Sequence, residues 1–68
     1  MLYKVSSKNG NVHLWAFLNF KLEVNAITKD YKLKCKNIVD YVIYEVKEEI
    51  PNKIFNKYGL KGQLMKGS

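Results

Sequence analysis

Several kinds of residue are scarce in this chain, and each scarcity excludes a class of protein. Cys35 is the only cysteine, so an internal disulfide and a cysteine zinc cluster are both excluded, and a reducing compartment is expected. The longest apolar-rich run, Leu14 to Phe20, is interrupted by Asn19 and is far shorter than the roughly 20 residues that span a bilayer. No signal-peptide pattern opens the sequence. We therefore expect a cytoplasmic protein that does not bind a membrane.

Arginine is absent, and all twelve basic residues are lysine, which gives a formal net charge of +6. Without guanidinium groups the chain lacks bidentate readout of guanine, while the attraction of ammonium groups to phosphate remains. Coding composition offers another explanation of the lysine content. Phe, Tyr, Met, Ile, Asn and Lys, which have A/T-rich codons, make up half of the chain. The charge is thus compatible with nucleic-acid binding and does not prove it.

The length of 68 residues allows one small hydrophobic core, because the fraction of surface buried on folding falls with chain size. We expect a single α+β domain over residues 1–60 and a flexible C-terminal tail over residues 61–68. Small domains without covalent cross-links often complete their core by self-association. We therefore expect a homodimer.

Three strands are predicted in the first half of the chain. Leu2–Val5 is rich in strand-forming residues and precedes Asn9 and Gly10, which favour a tight hairpin turn. Residues 12–24 alternate and predict a long second strand. Residues 31–35 alternate again and predict a third strand, with Tyr31, Leu33 and Cys35 facing inward.

The second half predicts helices. From Asn37 to Ile50 apolar residues recur at helical spacing, with Asn37 as N-cap. Pro51 ends this pattern and can begin a second, short helix, with Gly59 as its C-terminal cap. The predicted fold is a three-stranded antiparallel sheet in the order β-β-β-α, covered on one face by an amphipathic helix, with a short C-terminal helix.

The residues that could support catalysis lack a recognisable arrangement. Cys35 and the one histidine, His13, are not accompanied by a nucleophile turn or an orienting group. Glu45, Glu48 and Glu49 are explained by a solvated helix flank. No spacing is typical of metal ligands. We therefore expect no enzymatic activity, no catalytic residues, no metal and no cofactor.

The outward face of the predicted second strand is the most informative feature, because it places aromatic rings beside lysines. Rings on an open sheet face stack the bases of single-stranded nucleic acid, while lysines follow the phosphates. Positive charge is concentrated in residues 1–36, with seven lysines and two acids, whereas residues 37–50 have one lysine and four acids. The predicted nucleic-acid-binding residues are the rings His13, Trp15 and Phe17 and the lysines Lys4, Lys21, Lys32 and Lys34.

We therefore predict a small basic accessory protein that binds single-stranded nucleic acid or its backbone with low sequence specificity. Two alternatives stay open. The rings at 15 and 17 could be buried in a dimer or in a two-sided core. Alternatively, the chain could be a virus- or plasmid-type protein that modulates or inhibits a larger host protein, an argument by analogy. Its contacts would be the helix flank Tyr41, Tyr44, Glu45 and Glu48.

Overall fold

A computed structural model of the chain describes residues 1–10 and 14–65. Its elements are β1 (Leu2–Ser7), α1 (Leu14–Val24), β2 (Ile27–Cys35), β3 (Ile38–Glu45), α2 (Asn52–Lys57) and β4 (Leu60–Leu64). The strands form one antiparallel sheet in the order β2-β3-β1-β4. This βαββαβ order is the ferredoxin-like, or split βαβ, arrangement. The predicted α+β class is confirmed, with four strands in place of three.

The segment after β1 turns into a helix, and the predicted hairpin at Asn9 and Gly10 is wrong. Ser7 Oγ accepts hydrogen bonds from the backbone N–H groups of Asn9 (3.0 Å) and Gly10 (2.9 Å). Gly10 has a φ of 79°, a conformation that glycine adopts without steric cost. Asn9 and Gly10 therefore form a turn, as their chemistry predicts, but the next element is α1 and not a second strand.

The predicted second strand is α1, which is the main correction to the expected fold. From Leu14 to Glu23 the segment has no β-branched residue, and Leu, Ala, Phe, Lys and Glu are compatible with a helix. Ala16, Phe17 and Phe20 are buried on one side of α1. Apolar residues are so frequent in this segment that it fits both the 2-residue period of a strand and the 3.6-residue period of a helix. Alternation alone therefore predicts a strand where the chain forms a helix.

Asn25 ends α1 with a left-handed backbone, φ 53°. The N–H of Ala26 then donates to the carbonyl of Lys21 at 3.0 Å, the 6→1 bond of a Schellman-type helix end. Neither α1 nor α2, the helices within residues 1–10 and 14–65, is long and apolar enough to cross a membrane.

The helix predicted from Asn37 to Ile50 is instead the strand β3 followed by a loop. Asn37 has a φ of 60° and lies in the tight turn of the β2–β3 hairpin, where Cys35 pairs with Ile38. Between Ile38 and Val46 the sequence is dense in valine and isoleucine, which favour strands. Irregular pairing opposite Leu33 shifts the alternation, and this shift produced the apparent helical spacing.

Strand β2 lies at the edge of the sheet, and all nine of its residues are exposed. The prediction that Tyr31, Leu33 and Cys35 face the interior is therefore wrong. The physical reason is coverage, because α1 packs on β3 and α2 packs on β4. No described helix lies over β2 with comparable contact.

The short helix after Pro51 is confirmed as α2, and Gly59 follows it with a φ of 68°. The next residues form β4, so the expected flexible tail is wrong for residues 61–64. They pair with β1, and Gly62 lies directly beneath the ring of Phe55. Leu60 is the one fully buried apolar side chain of β4, and residues 61–64 have no apolar alternation that would predict a strand. Residues 66–68 lie outside the described residues.

The core lies between the helices and one face of the sheet. Phe20 of α1 stacks on Phe55 of α2 with ring centroids 5.1 Å apart, and Tyr3 packs on Phe55 at 5.6 Å. Two buried tyrosines of the sheet are hydrogen-bonded: Tyr44 Oη donates to the carbonyl of Phe17 at 2.9 Å, and Tyr3 Oη accepts the N–H of Ile50 at 3.1 Å. Both helices therefore cover the same face, and neither described helix lies over the opposite face.

Candidate functional site

The face of the sheet turned away from both helices is called the open face. On β1 the side chains of Tyr3 and Val5 are buried, whereas Lys4 between them is exposed. The pairing register carries this alternation to the other strands. The open face comprises Leu2, Lys4, Ser6, Ile27, Asp30, Lys32, Tyr41, Ile43, Glu45, Lys61 and Gln63.

One cross-strand row of the open face is called the basic row, and consists of Lys32, Tyr41, Ser6 and Lys61. Lys32 of β2 pairs with Tyr41 of β3, and Ser6 of β1 pairs with Lys61 of β4. Tyr41 and Ser6 lie one position beyond the last regular β1–β3 pair. Since neighbouring strands are about 4.8 Å apart, the row is about 14 Å long. It places an ammonium group at each end of a line that contains an aromatic ring.

Lys4 contributes a third ammonium group next to the ring. Its Nζ lies 4.7 Å from the ring centroid of Tyr41, within the range of a cation–π contact. Lys4 is opposite Ile43 in the register, so its side chain extends diagonally to Tyr41 on the neighbouring strand β3. The ring is half-buried between side chains and keeps an accessible surface toward solvent.

A shallow hollow at one end of the open face is lined by Ser6, Lys34, Asp40 and Lys61, among others. Lys34 of β2 and Lys61 of β4 both line it. Glu45 lies at the other end of the face, where it pairs with Lys29 at 3.4 Å. Asp30 and Asp40 lie near the basic row, but Lys4, Lys32, Lys34 and Lys61 outnumber them there. The end with the basic row is therefore the more positive part of the face.

The predicted nucleic-acid-binding residues are divided between opposite sides of the molecule. Lys4, Lys32 and Lys34 belong to the sheet, as predicted, and are exposed. Trp15, Phe17 and Lys21 belong to α1 on the other side of the sheet. His13 lies outside the described residues.

The predicted surface of rings is wrong for two reasons. Phe17 is 1 % exposed and belongs to the core, so it offers no ring to a base. Trp15 is 60 % exposed, but helical geometry separates it from the lysines of the strands. The alternative in which both rings are buried holds for Phe17 alone.

The second predicted set, proposed for a protein partner, is also dispersed. Tyr44 is buried beneath α1, so it cannot contact a partner. Tyr41 and Glu45 lie on the open face, and Glu48 lies in the loop after β3. A strand points successive side chains to opposite faces, and the helix flank expected here does not exist.

An ion-paired cluster joins the two helices on the covered side. Glu23 Oε1 accepts hydrogen bonds from Lys57 Nζ at 2.8 Å and Tyr58 Oη at 2.5 Å. The Lys57 hydrogen bond, followed by that of Tyr58, lowers the pKa of Glu23 below its usual value. The same carboxylate raises the pKa of Lys57 and of Tyr58. This cluster ties α1 to the end of α2, a structural role.

Cys35 is exposed at the end of β2. Within residues 1–10 and 14–65, no group of three or more histidine, cysteine, aspartate or glutamate side chains could hold a metal ion.

Sequence reasoning missed Ser6, Lys61 and Gln63 as candidate residues and included Tyr41 only in the set for a protein partner. Tyr41 was assigned to a helix flank and Lys61 to a flexible tail. Alternation of Tyr41 and Ile43 with the buried Val42 and Tyr44 was the signal that could have placed the ring on an open sheet face.

Comparisons of the chain with family models, with curated proteins and with solved structures found no match.

Proposed function

We propose that this protein binds nucleic acid non-specifically through the open face, with single strands preferred over duplexes. The observation that carries the proposal is the placement of the Tyr41 ring among Lys4, Lys32 and Lys61 on a sheet face that no described helix covers. The phosphate contacts are assigned to Lys4, Lys32, Lys34 and Lys61. In this proposal Tyr41 takes the stacking role that the sequence predicts for His13, Trp15 and Phe17.

The chemistry of the basic row favours single strands. A base that is free of a duplex can lie against an aromatic ring, and such stacking contributes about 1–3 kcal/mol per base. RNA-recognition modules built on four-stranded sheets use open-face rings in this way, an analogy of architecture. In the free protein Lys4 Nζ lies against Tyr41. A stacked base competes with this contact and releases Lys4 toward a phosphate.

Low sequence specificity follows from the side chains available. The chain has no arginine, so bidentate reading of guanine is absent. Gln63 and Ser6 can form hydrogen bonds with bases or sugars, but they are few. Ammonium–phosphate attraction therefore provides most of the affinity, which must fall steeply as salt is added.

The test is fluorescence anisotropy with a labelled single-stranded oligonucleotide and a matching duplex across a range of salt concentrations. Lys32→Gln and Lys61→Gln should each weaken binding and reduce the slope of log K against log salt by about 0.7 for single strands. Tyr41→Leu should weaken single-strand binding by about 1–3 kcal/mol and duplex binding much less.

Lys53→Gln is the matched control, because Lys53 is exposed on α2 and its substitution removes the same charge from the covered side. It should leave binding close to that of the original protein. Absence of binding at low salt, or equal losses for Lys53→Gln and Lys32→Gln, would contradict an interface on the open face.

A second candidate function, binding to a larger protein, is favoured by the outer surface of α1. Trp15, Leu18 and Leu22 share one side of the helix at spacing i, i+3 and i+7, and Leu22 is 77 % exposed. Such a stripe suits an apolar groove on the partner. Purification from the native host should then recover a stoichiometric protein after nuclease treatment, and Leu22→Lys should abolish the recovery. A partner retained by Leu22→Lys would contradict this assignment.

A further inference from the structure

We propose that two copies of this chain join through their β2 strands into a continuous eight-stranded antiparallel sheet, paired two-fold about Tyr31. The inference goes beyond nucleic-acid binding and does not depend on it. Edge strands expose unpaired backbone groups and are templates for pairing with another strand. Strand β2 is nine residues long and lies at the sheet edge.

Large apolar side chains along β2 are exposed, and no described strand pairs with its outer edge. Ile27, Tyr31 and Leu33 are all exposed large hydrophobic residues, and Tyr31 is 59 % exposed. They are spread along one strand, so a strand laid against β2 would cover all three.

The backbone at Tyr31 is oriented for this pairing. Its N–H donates to Oδ1 of the neighbouring Asp30 at 2.8 Å. A carboxylate can reach a strand amide from the free edge, because β3 occupies the other side. The Tyr31 N–H therefore points outward, where it can donate to the carbonyl of the partner's Tyr31 while Asp30 is released.

The charged residues of β2 favour a second copy of this chain as the partner and favour one pairing register. When the two strands pair about Tyr31, Asp30 lies opposite the partner's Lys32, and the two-fold axis repeats this pair. Pairing about Asp30 or Lys32 would place that residue opposite its own copy. Pairing about Leu33 would place Lys32 opposite the partner's Lys34. Like charges directly opposite one another destabilise a sheet, and opposite charges stabilise it.

A second copy of this chain is therefore the partner that fits the edge. In the dimer the two open faces become one surface. Lys32, at the end of the basic row, lies close to the partner's Asp30 and near the two-fold axis.

The first test is the mass of the full chain in solution, measured by sedimentation equilibrium without nucleic acid at physiological salt. The protein should be dimeric at high concentration. Asp30→Lys should weaken the dimer by about tenfold or more, since both attractive pairs become repulsive. The double change Asp30→Lys with Lys32→Asp restores opposite charges and should restore the dimer.

Asp40→Lys makes the same charge change on β3, away from the β2 edge, and should keep the dimer. Far-UV circular dichroism establishes that each variant folds. A monomer at every concentration would overturn the proposal, as would an equal loss for Asp40→Lys and Asp30→Lys.

The second test fixes the register by cross-linking. In a Cys35→Ser background, Tyr31→Cys places two thiols opposite each other, with Cα atoms about 5.5 Å apart, a separation that a disulfide spans. Mild oxidation with diamide should cross-link this variant. Leu33→Cys should not cross-link, because each introduced thiol would face Lys29 of the partner subunit. Preferential cross-linking through position 33 would overturn the register.

Because dimerisation is measured without nucleic acid, its failure leaves the proposed function standing. Conversely, a dimer that binds no oligonucleotide would remove the proposed function and leave this interface in place.

Discussion

Replacement of Tyr44 by phenylalanine tests the central hydrogen bond of the core and its dependence on pH. Tyr44 is 1 % exposed, and its Oη donates to the carbonyl of Phe17 at 2.9 Å. The substitution removes the donor and leaves this buried carbonyl without that partner. At neutral pH we expect Tyr44→Phe to lower the free energy of unfolding by about 1–3 kcal/mol.

The difference between the two proteins should shrink in alkali. Burial raises the pKa of Tyr44 from 10.0 to about 12, so the folded protein holds its phenol neutral where the unfolded chain ionises it. This contribution to stability is complete below pH 10 and is lost as the pH rises toward 12. This rise in the pKa of Tyr44 corresponds to about 3 kcal/mol of the free energy of unfolding. Tyr44→Phe has no phenol at this position and cannot lose that contribution.

The measurement is urea denaturation followed by far-UV circular dichroism, at several pH values between 7 and 11.5. Phe20→Leu is the control, because it weakens the same core without removing a phenol and should keep the slope of stability against pH of the original protein. If Tyr44→Phe loses stability above pH 10 as steeply as Phe20→Leu, the buried phenol is not the cause of the alkaline loss.

Two further predictions concern contacts between the helices and their neighbours. Gly62→Ala should lower the free energy of unfolding by about 1–3 kcal/mol, because a Cβ at position 62 would overlap the ring of Phe55. The control Gln63→Ala, on the open face, should change urea denaturation little. Equal losses of stability for the two variants would contradict the contact between Gly62 and Phe55. Glu23→Gln should reduce the loss of thermal stability as the pH falls below 4.5, because the Lys57 and Tyr58 hydrogen bonds lower the pKa of Glu23 from that value and its stabilising charge is lost on protonation. Glu48→Gln is the control of equal charge change, and a melting-temperature profile of Glu23→Gln identical to that of Glu48→Gln would refute the role of the cluster.

The proposed interface depends on which side chains share a face, and this was only partly visible in the sequence. The sheet positions of Lys4, Lys32 and Lys34 followed from short alternating segments that are strands in the structure. The sequence predicts a strand at Trp15 and a helix at Tyr41, whereas the segment of Trp15 is a helix and the segment of Tyr41 is a strand. As a result, the exposed ring beside the sheet lysines is that of Tyr41, and Trp15 lies on the other side of the sheet.

Local sequence alone determined the elements whose signals agree with one another. Strand β1 has strand-forming residues with clear alternation, and α2 has a proline before it and a glycine after it. At both places propensity, turn chemistry and apolar period point to the same structure.

Only the tertiary structure decided α1, β3 and β4. The segment of α1 is apolar on both possible periods, so its conformation depends on Phe17 and Phe20 packing against the sheet. Strand β3 needs two neighbouring strands to pair with, and β4 needs a place for Gly62 beneath Phe55. These are contacts between residues far apart in the chain, and no local pattern contains them, because burial and strand pairing depend on what the rest of the chain places opposite each residue.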